Sequence, residues 1–202
     1  MPDTGAPHFI PFADPTDLVR DWPALSEDVA EAVADGLDAA GGLVAVKHVL
    51  KTDTQTESGI AAGASFDITG LSIAHAVADV SHRLILTGTI GIAGEDFGLA
   101  FVGGAFAADG TLLGIGDADG SRTRVGSGGS NASNITDGRN TTAINLSLVY
   151  TPNTTDSVTY TLRAISNLTT TRTFFINRTQ TDQNAAGRPR GVSTLTLLEV
   201  KV

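Results

Sequence analysis

The chain has 202 residues, 41% of them hydrophobic, and carries a formal net charge of -9 with a pI near 4.7. Such a composition supplies a packed core but argues against a nucleic-acid surface, because neutralising phosphates needs clustered lysine and arginine. The basic groupings are only Arg122 with Arg124 and Arg188 with Arg190, and the absence of cysteine rules out disulfides, thiolate metal sites and cysteine nucleophiles.

The opening MPDTGAPHFIPF has neither a basic flank nor a continuous apolar stretch, so it does not resemble a signal peptide. No later window approaches the ~18 uninterrupted apolar residues of a membrane span. The expectation is a soluble product made in a cytoplasm, with no membrane partner.

Pro2, Pro7 and Pro11 predict an extended N-terminal arm, since proline lacks the amide proton that regular structure uses. Asp14 before Pro15 suits an N-cap and first-turn proline, giving a short helix over 14–21. Pro23 interrupts it. Ser26 then caps a second helix whose first turn holds Glu27 and Asp28, favourable at the positive end of the helix dipole, and Gly41 and Gly42 end it. Val29, Val33 and Leu37 recur at i, i+4 and i+8, a narrow apolar stripe that a short helix cannot bury against itself. Residues 1–42 are therefore expected to form a separate arm-and-helix region that needs a partner.

From Leu43 the apolar period changes to two. Strands are expected in LVAVKHVL, SFDITGLSIAH, RLILTGTIGI, GLAFVGGAF, TLLGIG, INLSLVY, VTYTLRA, TFFINR and VSTLTLLEV. Within SFDITGLSIAH the apolar parity slips at Gly70, as a bulge would cause. Asp109-Gly110 has the chemistry of a tight hairpin turn, and TPNTTDS is expected to make another. With no intervening helix, the predicted fold class is mainly β, with 43–202 an antiparallel β-sandwich of jelly-roll type. The last strand has Leu195 and Leu197 on one parity and Leu198, Val200 and Val202 on the other. Such a strand is either central in its sheet or pressed against a neighbouring subunit. The segment 117–142 is almost wholly polar, lacks any period and is expected to be a long loop, either functional or disordered.

Catalytic patterns are weak. His8, His48, His75 and His82 lack helical i, i+4 spacing or a nearby carboxylate pattern, and are expected to be surface or strand histidines. GIGDADG has the wrong spacing for a phosphate loop, and DADG lacks the later acidic ligands of a calcium loop. Glu95 and Asp96 are adjacent, so their side chains diverge rather than facing each other as a glycosidase pair does. Sequons occur at Asn131, Asn134, Asn140, Asn145, Asn153, Asn167 and Asn177, but without a secretory signal they are expected to remain unglycosylated. The basic turn GRPRG, 187–191, is either a grip for an acidic surface or a solvated loop. No enzyme activity, cofactor, metal or nucleic-acid partner is expected.

The stretch PFADPTDLVRDWPALSEDVAEAVADGLDAAG resembles a leader found on tail-fibre-like and other minor structural proteins of bacteriophages. TFFINRTQTDQNAAGRPRGVSTLTLLEV is similar to the closing strands of small trimeric phage β-domains. The two stretches span roughly the first 42 and last 60 residues, and the middle matches no pattern of that family. The resemblance implies a short homotrimeric, non-enzymatic tail-fibre-like adhesin located in the virion. Its partners would be copies of itself, other tail or capsid proteins and a host-surface glycan. The virion anchor would be Phe12, Leu18, Trp22, Leu25, Val29, Val33 and Leu37, and the trimer interface Leu195, Leu197, Leu198, Val200 and Val202. The alternatives are a capsid decoration or head-fibre protein and, less favoured, a polysaccharide-degrading tail enzyme. Trp22 is the sole tryptophan and lies in the leader, which weighs against an aromatic sugar platform in the β-domain.

Overall fold

The computed structural model describes residues 42–95, 101–130, 141–166 and 170–202. By internal contacts the chain divides into two units, Met1–Gly42 and Leu43–Val202. The predicted leader helices and the whole anchor set, from Phe12 to Leu37, lie outside the described residues.

The described residues form β1 (Leu43–Lys51), β2 (Gln55–Ile60), β3 (Ser65–His75), β4 (Arg83–Gly94), β5 (Phe101–Ala108), β6 (Thr111–Leu113), β7 (Ser127–Ser130), β8 (Thr142–Tyr150), β9 (Val158–Ser166), β10 (Arg172–Ile176) and β11 (Ser193–Val200). All pairings are antiparallel. One sheet runs β1-β11-β4-β8; β10 continues on the β11 side of β4, with β2 outside it. The other runs β3-β9-β5-β6, with β7 also on β5. Pairs are nested: β1 with β11, β3 with β9, β4 with β8, and β5 with β6 and β7. A long hairpin folded over in this way is the winding of a jelly roll.

The core comes from the inward parity of both sheets. Leu84, Leu86, Ile90, Ile92, Ile144, Leu195 and Leu197 of the first meet Phe66, Leu71, Ile73, Phe106, Tyr160 and Leu162 of the second in one cluster. Phe66 stacks on Phe174 with centroids 5.6 Å apart. Each such side chain contributes roughly 1.5–3 kcal/mol through removal from water, which is why the alternation dictates which face turns inward.

Two local expectations hold and others need correction. The slip at Gly70 is real: Asp67 pairs with Arg163 but Ser72 with Thr161, and Gly70 has φ 85°. Asp109-Gly110, at φ 45° and 83°, closes the β5–β6 hairpin. The TPNTTDS segment is not a hairpin, however, because β8 and β9 belong to different sheets and the segment carries the chain between them. Strands β2 and β7 were not expected. β7, Ser-Gly-Gly-Ser, lies inside the supposed loop of 117–142 and pairs with Phe101–Gly104. The preceding Val125 packs so close that a Cβ on Gly103 would lie 2.1 Å from its Cγ1. A strand held by backbone pairing and close glycine approach leaves no apolar period in the sequence.

Candidate functional site

β11 is central, lying between β1 and β4, so its two apolar parities face the core and the outside of one sheet. This corrects part of the expected trimer interface: Leu195 and Leu197 have no exposure at all and are filled into their own sandwich, unavailable to another subunit. Leu198 and Val200 are half-buried on the outward face, and Val202 lies beyond the strand, 78% exposed.

That outward face is ordered in rows across β1, β11, β4 and β8. Val46, Leu198, Ile85 and Val149 form an apolar row; His48, Thr196, Thr87 and Ser147 form the next; Leu50, Thr194, Thr89 and Asn145 the third. Val46 and Val149 are 57% and 60% exposed. Thr89 Oγ1 donates to Asn145 Oδ1 at 2.9 Å, and His48 Nδ1 lies 2.9 Å from Thr196 Oγ1. No lysine, arginine, aspartate or glutamate occurs in the three rows.

Two of the histidines are not surface residues. His75 Nε2 and His82 Nδ1 lie 2.7 and 2.6 Å from the two carboxylate oxygens of Glu199, which also accepts a hydrogen bond from the Ala78 amide at 2.8 Å. All three side chains are buried. Burial pushes the Glu199 carboxyl up, but the hydrogen bonds from His82, Ala78 and His75 outweigh it and hold the group below the usual glutamate range. This cluster ties the β3–β4 connection to the end of β11. Sequence reading missed it because Glu199 is more than a hundred residues from either histidine.

At the start of β11 a second polar cluster forms the neck of a loop. Strand β10 stops at Ile176, two residues earlier than the TFFINR pattern implied, because Asn177 adopts φ 58°. Its amide donates to Gly91 O at 2.8 Å, and its carbonyl accepts from Gly191 N at 3.0 Å. Its Nδ2 donates to Lys51 O and Asp53 O at 2.9 and 3.1 Å, and its Oδ1 accepts from Ser193 Oγ at 2.7 Å. Ser193 Oγ in turn accepts from Gly91 N at 3.0 Å. With Asn177 buried, its sequon is closed to modification, whereas Asn145 and Asn153 are exposed. The other four sequons lie outside the described residues.

The bond from Gly191 to Asn177 closes 178–190 into an Ω-loop, a class of compact loop that is frequently functional. Arg178 sits 4.5 Å from the Phe175 ring centre and donates to Thr56 Oγ1 at 2.6 Å. Arg190 grips Asp182 with two bonds, Nε to Oδ1 at 3.1 Å and Nη2 to Oδ2 at 2.9 Å. Arg178 Nη1 lies 3.8 Å from the same carboxylate. Asp182 has φ 35°, a conformation that aspartate adopts at a cost when the surroundings enforce it. Asp182, Gln183, Asn184, Ala185, Arg188 and Arg190 line an open groove of about 490 Å³. GRPRG flagged one wall of this groove; Arg178 and Asp182 gave no sequence signal beyond lying between two periodic segments.

A jelly-roll sandwich with three uncharged rows on one sheet face and a polar, arginine-bearing loop groove is thus the class defined by the chain's own geometry. No family model and no curated protein matches the sequence. Among solved structures the chain is similar to that of the Gx strain of infectious bursal disease virus, at 14% identity and TM-score 0.38, covering 77% of this chain and 40% of that one. It is also similar to the Gt strain structure, at 16% identity, TM-score 0.38 and the same coverage. A third is the VP2 subviral particle of the same virus, at 16% identity and TM-score 0.36, covering 77% of this chain and 39% of that one. The chain spans about 40% of the length of the first of these.

Proposed function

We propose that the protein is a non-enzymatic virion structural protein of a bacteriophage, a short homotrimeric tail-fibre-like adhesin. The leader, through Phe12, Leu18, Trp22, Leu25, Val29, Val33 and Leu37, anchors it in the particle, and the β-domain projects outward. The observation that carries this reading is the outward face of β1, β11, β4 and β8, whose apolar row and hydroxyl rows hold no formal charge in a chain of net charge -9. Depletion of charge at an apolar patch centre marks association surfaces. On this reading Leu198, Val200 and Val202 of the expected interface remain, while Ile85, Val46 and Val149 join them.

Mass photometry of the full chain tests the assembly. The expected species is three times the 20.7 kDa chain mass, and Val46→Lys with Val149→Lys shifts it to monomer with little change in melting temperature. A wild-type monomer at micromolar concentration with a cooperative melt overturns the trimer. Trp22→Ala with Val29→Asp is expected to abolish incorporation into particles while the β-domain melts as before. Normal incorporation of that variant overturns the anchor, and electron microscopy of labelled particles separates tail attachment from capsid decoration.

A further inference from the structure

We propose that the groove of the 178–190 Ω-loop binds an acidic saccharide, with a sugar carboxylate held by Arg188 and Arg190 and the hydroxyls by Gln183 and Asn184. Two guanidinium groups, Arg188 and Arg190, and one carboxylate, Asp182, line the groove beside the amides of Gln183 and Asn184, in a chain of net charge -9. Guanidinium forks match carboxylates in a planar, two-bond geometry. Primary amides offer a donor and an acceptor side by side, which suits a hydroxyl that is both.

The groove is also preorganised. Arg178 is fixed by Phe175 and Thr56, Arg190 by Asp182, and the neck by the buried Asn177 network. Ordering these side chains beforehand removes an entropy cost that binding would otherwise bear. The volume, about 490 Å³, falls within the usual range for a small-ligand site. Ala185 is the single aliphatic side chain in its lining, so there is no apolar socket for a peptide anchor or an acyl chain, and a polyhydroxylated ligand fits best. The source of that sugar, a glycan on a host surface, rests on the adhesin reading; the binding itself does not.

The test is calorimetric titration of the full chain with trigalacturonate and with 3′-sialyllactose. Controls are methyl-esterified trigalacturonate, maltotriose and sodium phosphate at matched ionic strength. At least one acidic sugar is expected to saturate, with the esterified and neutral sugars and phosphate weaker by about tenfold or more, the size of one charge-assisted contact. Arg188→Gln and Asn184→Ala are each expected to weaken binding about fivefold or more, the exposed Asn184→Ala at an unchanged melting temperature. Should Arg188→Gln lower the melting temperature, the exposed Asn184→Ala decides the location. Failure of both acidic sugars to saturate overturns the site, as does phosphate binding equally well or Asn184→Ala leaving the affinity unchanged. Sugar binding by a protein missing from particles would overturn the virion reading alone; a protein present in particles that binds neither sugar would overturn the groove alone.

Discussion

The two ends of β11 are each locked by a buried polar cluster, and the clusters solve the same problem by different chemistry. At the start, Asn177 and Ser193 satisfy the backbone of Lys51, Asp53 and Gly91 with neutral groups. At the end, one carboxylate, Glu199, collects two imidazoles and the Ala78 amide. A neutral cluster specifies a backbone shape, here the φ of 58° at Asn177 from which the Ω-loop departs. A charged cluster concentrates several donors on one group, and its contribution varies with pH. The difference teaches that the groove is held by the cluster that does not titrate.

The largest effect is expected at the charged end. Glu199→Ala strands two buried imidazoles and the part-buried Ala78 amide, and its denaturant midpoint should fall by the equivalent of about 3–5 kcal/mol. Asn177→Ala comes next: it removes three side-chain bonds and puts at positive φ a residue that tolerates the left-handed region less well than asparagine, at about 2–4 kcal/mol. Asn177→Gly keeps the backbone conformation and should cost visibly less, about 1–2 kcal/mol. Equal losses from the alanine and glycine variants would mean that the left-handed backbone at Asn177 carries no strain.

The pH response sharpens the contrast. Glu199 has a folded value below its unfolded one, so its stabilisation is fully present above the unfolded value, near pH 4.3 for glutamate, and is lost as pH falls through the lower folded value. The deficit of Glu199→Gln relative to wild type is therefore expected to be constant at neutral pH and to shrink through the acidic range below about 4.3. The deficit of Asn177→Ala should stay flat over the same range. Parallel urea titrations of the three proteins read this directly, and a Gln deficit that persists undiminished into strong acid would show that Glu199 does not act as an ion.

The smallest effect on folding is expected outside both clusters. Val149→Lys on the exposed row should change stability by no more than about 0.5 kcal/mol, because the side chain has little burial to lose. A loss comparable with that of Asn177→Gly would show that the row is covered within the monomer rather than offered to a partner.

What the sequence by itself determined is the set of elements with an apolar period. Alternation in RLILTGTIGI, INLSLVY and VTYTLRA identified strands and inward residues, because each buried side chain independently favours one face. The local chemistry of Asp109-Gly110 and the parity slip at Gly70 were legible for the same reason, since each depends only on its neighbours in the chain. Strands β2 and β7 were not legible, being polar or glycine-rich and held by backbone pairing that any sequence can make. Half of the groove was visible as GRPRG. Its other half, Asp182 with Gln183, Asn184 and Ala185, became part of a site only when Asn177 and Gly191 closed the loop. The two-faced β11 shows the division most plainly. Its pattern allowed either a central strand or a subunit contact, and only the nested pairing of β1 with β11 and β11 with β4 placed Leu195 and Leu197 inside and brought Glu199 to His75 and His82. Strand order is a choice among long-range pairings, and alternation along one strand carries no information about which distant strand will lie beside it.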